Sequence, residues 1–388
     1  MTTENSSPIR GGGGLYIHIP FCKQACDYCD FHFSTTMAKK AEMVQALCQE
    51  LRLRRQELEG ETVQTIYFGG GTPSVLEMGE LEAILQVVFE NYAVADLPEI
   101  TLEANPDDLS PQKIKELAQS PVNRLSIGVQ SFFEVDLKLM NRAHSAQEAK
   151  ESLAMAVAHF DNISIDLIYG IPGMDNGRWQ ENIETALSYQ VPHISSYALT
   201  VEPRTALAKF VEKGVVPPVD DTVAQEHFNL LNTLLQQQGY VAYEISNFGK
   251  PGYFSKNNTA YWQQKKYVGI GPSAHSYDGI RRGWNINNNP KYMKAMAKGQ
   301  LPMEVEVLSV TDRYNEYVMT GLRTIWGVSL QKITSDFGST YTDYLQLQAQ
   351  KFVEEHLLYW DGDILKATKK GLFLTDGMAA DLFMLNLK

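Results

Sequence analysis

Leu15-Tyr16-Ile17-His18-Ile19-Pro20-Phe21-Cys22-Lys23-Gln24-Ala25-Cys26-Asp27-Tyr28-Cys29 places three of the chain's four cysteines within eight residues, directly after a strand-like run. Cysteine sulfur is a soft ligand, suited to zinc or to the iron of an iron–sulfur cluster. A structural zinc site takes four protein ligands, and only three thiols lie here. The C-x3-C-x2-C spacing therefore points to a [4Fe–4S] cluster held by Cys22, Cys26 and Cys29, with its fourth iron open. Taken alone, the same residues also suit a small zinc loop completed by Asp27 and His32. Four cysteines in 388 residues are too few for a disulfide framework. No export signal is expected ahead of them, so a reducing cytoplasm is the expected location. Cys48 sits in an amphipathic stretch and reads as an ordinary buried thiol.

Outward from this loop, strand-like and helix-like runs alternate. Strands are expected near 15–19, 64–68, 99–103, 124–129, 163–169 and 193–200. Helices are expected near 37–58, 79–91, 111–119, 146–159 and 177–189. Such alternation implies a parallel sheet with right-handed crossovers. Six units are fewer than a closed eight-unit barrel needs. The expected fold is α/β, an open, partial (β/α)6 TIM-like barrel with its chemistry at the C-terminal strand ends. Residues 1–14, ending in four glycines, read as a flexible tail, 15–245 as the barrel and 246–302 as its extension. The extension and its approach include a helix near 221–238 and a strand-like run at 240–246. From 303 the character changes to helices near 311–325 and 329–355, a hairpin around Asp361-Gly362 and a last helix near 375–385. That order suggests a small, mostly helical, winged-helix-like domain over 303–388.

The composition, 44% hydrophobic and 21% charged, is that of an ordinary soluble globular protein. No apolar run approaches the ~20 residues that span a bilayer. The formal charge of −12 argues against a general nucleic-acid binder, but leaves room for a local basic pocket.

Further motifs follow the strands. Gly69-Gly70-Gly71-Thr72-Pro73-Ser74 comes after the second strand, where glycines let backbone N–H groups approach a ligand. No Gly-Lys-[Ser/Thr] follows, so it is not a phosphate loop. Glu103, Gln130, Arg142 and Asp166 sit at or just beyond strand ends. Asp166 stands among apolar residues, where a carboxylate needs a hydrogen-bond or charge partner.

These motifs resemble the radical S-adenosylmethionine (radical-SAM) superfamily. Leu15 to Cys22, Tyr28-Cys29-Asp30-Phe31, Gly69 to Ser74, Leu125 to Ser131 and Asp166 to Gly170 look like the oxygen-independent coproporphyrinogen III oxidase group. So do Glu316-Tyr317 and Gly321-Leu322-Arg323. The true oxidase branch resembles Cys-x3-Cys-x2-Cys-x-Cys with a longer N-terminal segment. Here Phe31 stands at the fourth cysteine position and the tail is short. The chain therefore looks like the sister branch, the radical-SAM heme chaperones (HemW family). The resemblance implies cluster ligation by Cys22, Cys26 and Cys29. It implies SAM contacts from Tyr16, Gly70, Gly71, Thr72, Glu103, Gln130, Arg142 and Asp166, with one SAM or two. It implies heme as a further cofactor, heme-acceptor proteins and an electron donor as partners, and reductive SAM cleavage as the accompanying chemistry. Anaerobic decarboxylation of coproporphyrinogen III is the alternative, followed by another radical-SAM reaction such as methylation.

One departure matters. The chaperone branch carries His-Asn-x-x-Tyr-Trp, associated with heme, and this chain has Asn257-Asn258-Thr259-Ala260-Tyr261-Trp262. Asn257 is not an iron ligand of the usual kinds. Tyr261 and Trp262 are expected against a porphyrin face, Lys265 and Lys266 near its propionates. His275 is the substitute ligand candidate, with a hydrogen-bonded loop histidine as the alternative role.

Overall fold

Successive side chains of a strand point to opposite faces, and six strands of this chain use that alternation in the same way. In β1 (Gly13–Ile19), Leu15, Ile17 and Ile19 are buried in the core while Tyr16 and His18 face the other way. The pattern repeats in β2 (Val63–Gly70), β3 (Val94–Ala104), β4 (Arg124–Gln130), β5 (Ile163–Tyr169) and β6 (His193–Ala198). Leu125, Ile127 and Val129 join the core, as do Ile163, Ile165 and Leu167. Arg124, Ser126, Asp166, Ser195 and Tyr197 line the interior of the barrel instead. The apolar face packs with the helices Lys40–Leu53, Met78–Asn91, Pro111–Gln119, Ala146–Val157 and Asn176–Ser188 in one core.

The structure is a computed structural model and describes residues 12–385. The tail expected over 1–14 lies outside it up to residue 11; Gly13 and Gly14 already belong to β1. A Cβ on Gly14 would stand 2.8 Å from the Thr65 hydroxyl, so the glycine permits this close pairing.

Strands β1 to β6 lie side by side in chain order, all parallel. The expected six-unit open barrel is therefore the fold. Past β6 come β7 (Val241–Ala242) and β8 (Asn247–Gly249), antiparallel additions at one edge. At the other edge β9 (Tyr267–Ile270) pairs parallel with β1. It is followed by antiparallel β10 (His275–Tyr277), β11 (Arg281–Asn285) and β12 (Met303–Val307). The strand expected at 240–246 is thus a shorter hairpin. Tyr243 turns inward, stacks on Phe254 at 4.4 Å and accepts or donates at His193 Nε2, 2.8 Å away.

A second core, built on Tyr314, Val318, Leu322, Leu345 and Leu365, organises the C-terminal unit. Its helices carry a three-stranded antiparallel sheet of β13 (Val328–Ser329), β15 (Ile364–Ala367) and β14 (Leu358–Asp361). The single helix expected at 329–355 is two, Leu330–Phe337 and Ser339–Glu354. Gly338 separates them with φ +99°, a left-handed value that ends a helix. Short helices at Glu134–Leu139, Ala206–Glu212 and Lys256–Trp262 were not anticipated from the sequence.

One buried ion pair ties the β9–β11 edge to the barrel. Glu50 accepts hydrogen bonds from Arg54 (3.0 Å), the Gly271 N–H (2.8 Å), Asn285 Nδ2 (2.7 Å) and Tyr292 OH (2.5 Å). Arg54 also donates to the Gly269 carbonyl (2.6 Å), the Ser276 hydroxyl (2.9 Å) and Glu57 (2.7 Å). Removing one member of a buried pair leaves its partner uncompensated, at a cost of about 3–5 kcal/mol. Glu50→Ala is expected to lower unfolding stability by that amount in urea titration. An unchanged midpoint would mean the pair contributes nothing.

Candidate functional site

The cysteine loop leaves the end of β1 and docks on the glycine turn that follows β2. Gly71 N–H donates to the Ile19 carbonyl (2.9 Å) and Thr72 N–H to the Phe21 carbonyl (2.7 Å). A Cβ on Gly71 would lie 2.7 Å from both carbonyl oxygens, so only glycine allows this contact. Asn141, at φ +53°, holds the loop from its other side. Its Nδ2 donates to the Ala25 carbonyl (2.8 Å), and its Oδ1 accepts from Gln24 Nε2 (3.0 Å).

The loop presents Cys22, Cys26 and Cys29, all free thiols, to one cavity of about 500 Å³. Thr72 Oγ1 donates to Cys22 Sγ at 3.2 Å and Arg142 Nη1 to Cys26 Sγ at 3.3 Å. Burial pushes the Cys22 and Cys29 thiols up to about 11. A bound metal would reverse that, because metal ligation favours the thiolate. Among the described residues no three His, Cys, Asp or Glu groups converge to hold a single ion. A cubane cluster makes no such demand, since each of its irons takes its own thiolate. Cys48 is buried in the Lys40–Leu53 helix, away from this cavity.

Gly70, Gly71, Thr72, Glu103, Gln130, Arg142 and Asp166 line the same cavity as the thiols. Arg142 is its connecting member: Nη2 donates to Asn105 Oδ1 and the Gly128 carbonyl, each at 2.8 Å. Gln130, at φ +68°, turns β4 so that its buried side chain stays on this face. Tyr67 OH donates to Glu103 Oε1 at 2.7 Å. Burial, reinforced by Asp166, holds Glu103 up at about 7, against the lowering effect of Tyr67. Burial likewise raises Asp166 to about 6, with a Ser195 hydrogen bond and the charges of Arg124 and Arg142 acting the other way.

Tyr16 faces elsewhere. It lines an adjoining cavity of about 670 Å³ and stacks on Tyr67 at 6.1 Å. The two cavities share Phe31, Glu103, Ser126, Asp166 and Tyr197. Phe31, at the position of the oxidase's fourth cysteine, is 69% exposed between them. Asn257 lines the larger cavity, its Oδ1 accepting from Thr65 Oγ1 at 3.1 Å. Buried Glu99 caps that helix by accepting from the N–H groups of Lys256 and Asn257, each at 3.0 Å. Tyr261, Lys265, Lys266 and His275 also line it. Trp262 does not: it turns toward the C-terminal unit, where Arg323 lies 5.2 Å from its ring. Adjacent helical residues are about 100° apart, so Tyr261 and Trp262 cannot both face one ligand.

Sequence reading missed Asn105, Asn141 and Arg124. Asn141 carried a signal, because asparagine tolerates the left-handed conformation it adopts here at φ +53°.

A sequence profile of the Radical SAM superfamily matches residues 16–186, and one of the HemN C-terminal domain matches 308–374. A radical-SAM domain implies a [4Fe–4S] cluster and SAM. The solved coproporphyrinogen III oxidase (HemN) from Escherichia coli, a radical-SAM enzyme, superposes with a TM-score of 0.83. It is 21% identical, over 96% of this chain and 90% of that one, and supports the radical-SAM fold. The heme chaperone HemW of Lactococcus lactis subsp. lactis is 36% identical over 94% of this chain and 96% of its own length. HemW of Bacillus subtilis is 33% identical over 92% and 96%. The mitochondrial radical S-adenosyl methionine domain-containing protein 1 of Bos taurus is 31% identical over 98% and 89%. With that identity along nearly its whole length, the chain belongs to the HemW family of radical-SAM proteins.

Proposed function

We propose that this protein is a heme chaperone: it holds a [4Fe–4S] cluster and SAM in the thiol-lined cavity, binds heme in the adjoining one, and passes heme to acceptor proteins. The observation that carries the reading is the continuity of the two cavities through Phe31, Glu103, Asp166 and Tyr197. Cys22, Cys26 and Cys29 are the cluster ligands. The hydrogen bonds from Thr72 and Arg142 to sulfur fit them to thiolates, since donors stabilise the charged form. When bound, cluster and SAM supply one-electron chemistry, with the electron coming from a donor protein. Gly70, Gly71 and Thr72 offer SAM's amino-acid end a close backbone edge, and Gln130 and Arg142 its polar flanks. Glu103 and Asp166 suit its ammonium and sulfonium once ionised. Tyr16 lines the adjoining cavity, not the thiol-lined one.

No helix among the described residues is long and apolar enough to cross a membrane. On the heme side, Asn257 spends its carbonyl oxygen on Thr65. His18 has both ring nitrogens engaged, with Tyr16 OH (3.3 Å) and the His32 carbonyl (2.9 Å). His32 Nε2 contacts Asn289 Oδ1 at 2.7 Å. His275 lines the cavity on its exposed side and has no hydrogen-bond partner among the described residues, which makes it the iron ligand in this reading.

After anaerobic reconstitution, iron and sulfide analysis is expected to give about four of each per chain, and a Cys26→Ala variant to lose them. Hemin titration is expected to give a saturable Soret shift near one heme per chain, lost in His275→Ala. No saturable shift in the wild-type protein would overturn the heme reading.

The raised carboxylates give a second test. Protonated Glu103 and Asp166 cannot offset a cationic ligand, so SAM affinity is expected to rise as pH passes from about 5 through the values of about 6 and about 7. Glu103→Gln should flatten the upper part of that rise, measured by equilibrium dialysis. In the protein without ligand the sign reverses. The folded state favours the protonated acids, so stability falls as pH climbs from their usual range toward 7.

A further inference from the structure

Four cationic side chains line the larger cavity, and three of them are already accommodated. Lys266 is paired with Glu61 at 3.1 Å and Arg282 with Glu316 at 3.0 Å. Lys265 is half-buried with its charge felt at Glu61. Arg124 differs. It is 2% exposed, and where the equally unpartnered Nε of Arg282 belongs to a guanidinium that still reaches Glu316, the Arg124 guanidinium has a buried, unpartnered Nε and no ion pair among the described residues. The charge of Arg124 acts on both Glu103 and Asp166, yet neither closes to an ion pair with it among the described residues. The groups whose fields meet that of Arg124 have other partners: Glu103 has Tyr67, Asp166 has Ser195, and His193 has Ser164 (2.7 Å) and Tyr243 (2.8 Å).

A buried guanidinium with an orphaned N–H carries a desolvation cost of several kcal/mol, which an anion in the cavity would offset. The position selects which anion. Arg124 opens β4, and Gln130 closes it on the thiol side. Six residues of strand separate them by about 20 Å, so Arg124 serves a different ligand from the thiol cavity. The flanking acids oppose a dianion such as phosphate, whereas a single carboxylate matches the guanidinium fork. Tyr16, Tyr67, Tyr197, Tyr261 and Tyr267 line the same space, which favours a flat conjugated body on that carboxylate.

We propose that Arg124 is the anchor for a carboxylate of the planar ligand in the larger cavity, a porphyrin propionate if the heme-binding reading holds, on which this inference rests. The lysines at 265 and 266, singled out from sequence for propionates, then stay with Glu61 and solvent. The anchor fixes how deep the macrocycle enters and which edge leads.

The test compares hemin with its propionate dimethyl ester on the reconstituted full-length protein, by Soret titration in the same dilute detergent. Wild-type protein is expected to bind the free acid about ten- to hundredfold more tightly than the ester, the range for hydrogen bonds to a charged group. Arg124→Gln should lose that preference by weakening the free acid and leaving the ester unchanged. Arg124→Lys, which keeps the charge and the fold but not the fork, should retain part of it. Equal wild-type affinity for acid and ester overturns the anchor with no variant required. So does a preference that survives in Arg124→Gln. Both results leave heme binding intact, whereas absence of saturable wild-type binding to either compound overturns the heme reading and the anchor with it.

Discussion

The alternation of apolar and polar side chains along six adjacent strands divides this sheet into a face that stabilises and a face that is free for chemistry. Leu15, Ile66, Leu102, Ile127, Ile165 and Ile194 bury one face beneath the helices. Tyr16, Tyr67, Glu103, Ser126, Asp166 and Ser195 occupy the other. A one-residue slip in any strand would exchange the two sets, burying carboxylates in the core. Register is therefore enforced by the hydrophobic face, and the interior inherits that precision. The cysteine loop gains from this directly: Gly71 and Thr72 meet Ile19 and Phe21 because β1 and β2 are held in fixed register.

A polar interior has an electrostatic consequence. Glu103 and Asp166 are deprived of water, and their pKa values are raised mainly for that reason. Arg124 lowers both again, and Arg142 lowers Asp166. The protein thus keeps acids near their titration points in the middle and guanidinium groups toward the two ends. Arg142 is committed to Asn105, Gly128 and Cys26, while Arg124 has no such commitments. The asymmetry separates an arginine that organises the protein from one whose demand is left to a ligand.

Most of the fold was legible because it rests on period. The strand expected at 163–169 and the helix at 111–119 match the structure at both ends. The convergence of Glu103, Gln130 and Asp166 was legible because parallel strands share one face and bring their ends to one side, whereas Arg142 reaches the same cavity from beyond the unanticipated helix Glu134–Leu139. What escaped depends on single backbone angles or on distant partners. The break at Gly338 is hidden by apolar periodicity continuing through both helices. Asn105 and Asn141 matter only through Arg142 and Gln24, which the sequence places far from them. Trp262 was expected at the ligand with Tyr261 from the resemblance of 257–262 to the chaperone branch, yet neighbours on a helix face different directions. Arg124 was passed over as an ordinary strand residue, since a missing partner is invisible without coordinates.

The shared wall makes the two cavities thermodynamically dependent. Any cation placed near Glu103 and Asp166 from the thiol side favours their ionised forms. Ionised acids in turn hold a stronger field at Arg124 and alter the affinity for an anion bound there. Linkage requires the reverse as well: a carboxylate on Arg124 removes part of the positive field that keeps Glu103 and Asp166 from rising further. The coupling needs no conformational change, only charges a few residues apart in a medium of low dielectric. A protein with a closed, apolar barrel interior has no such route. The polar face is therefore the part of this sheet through which one ligand can report on another.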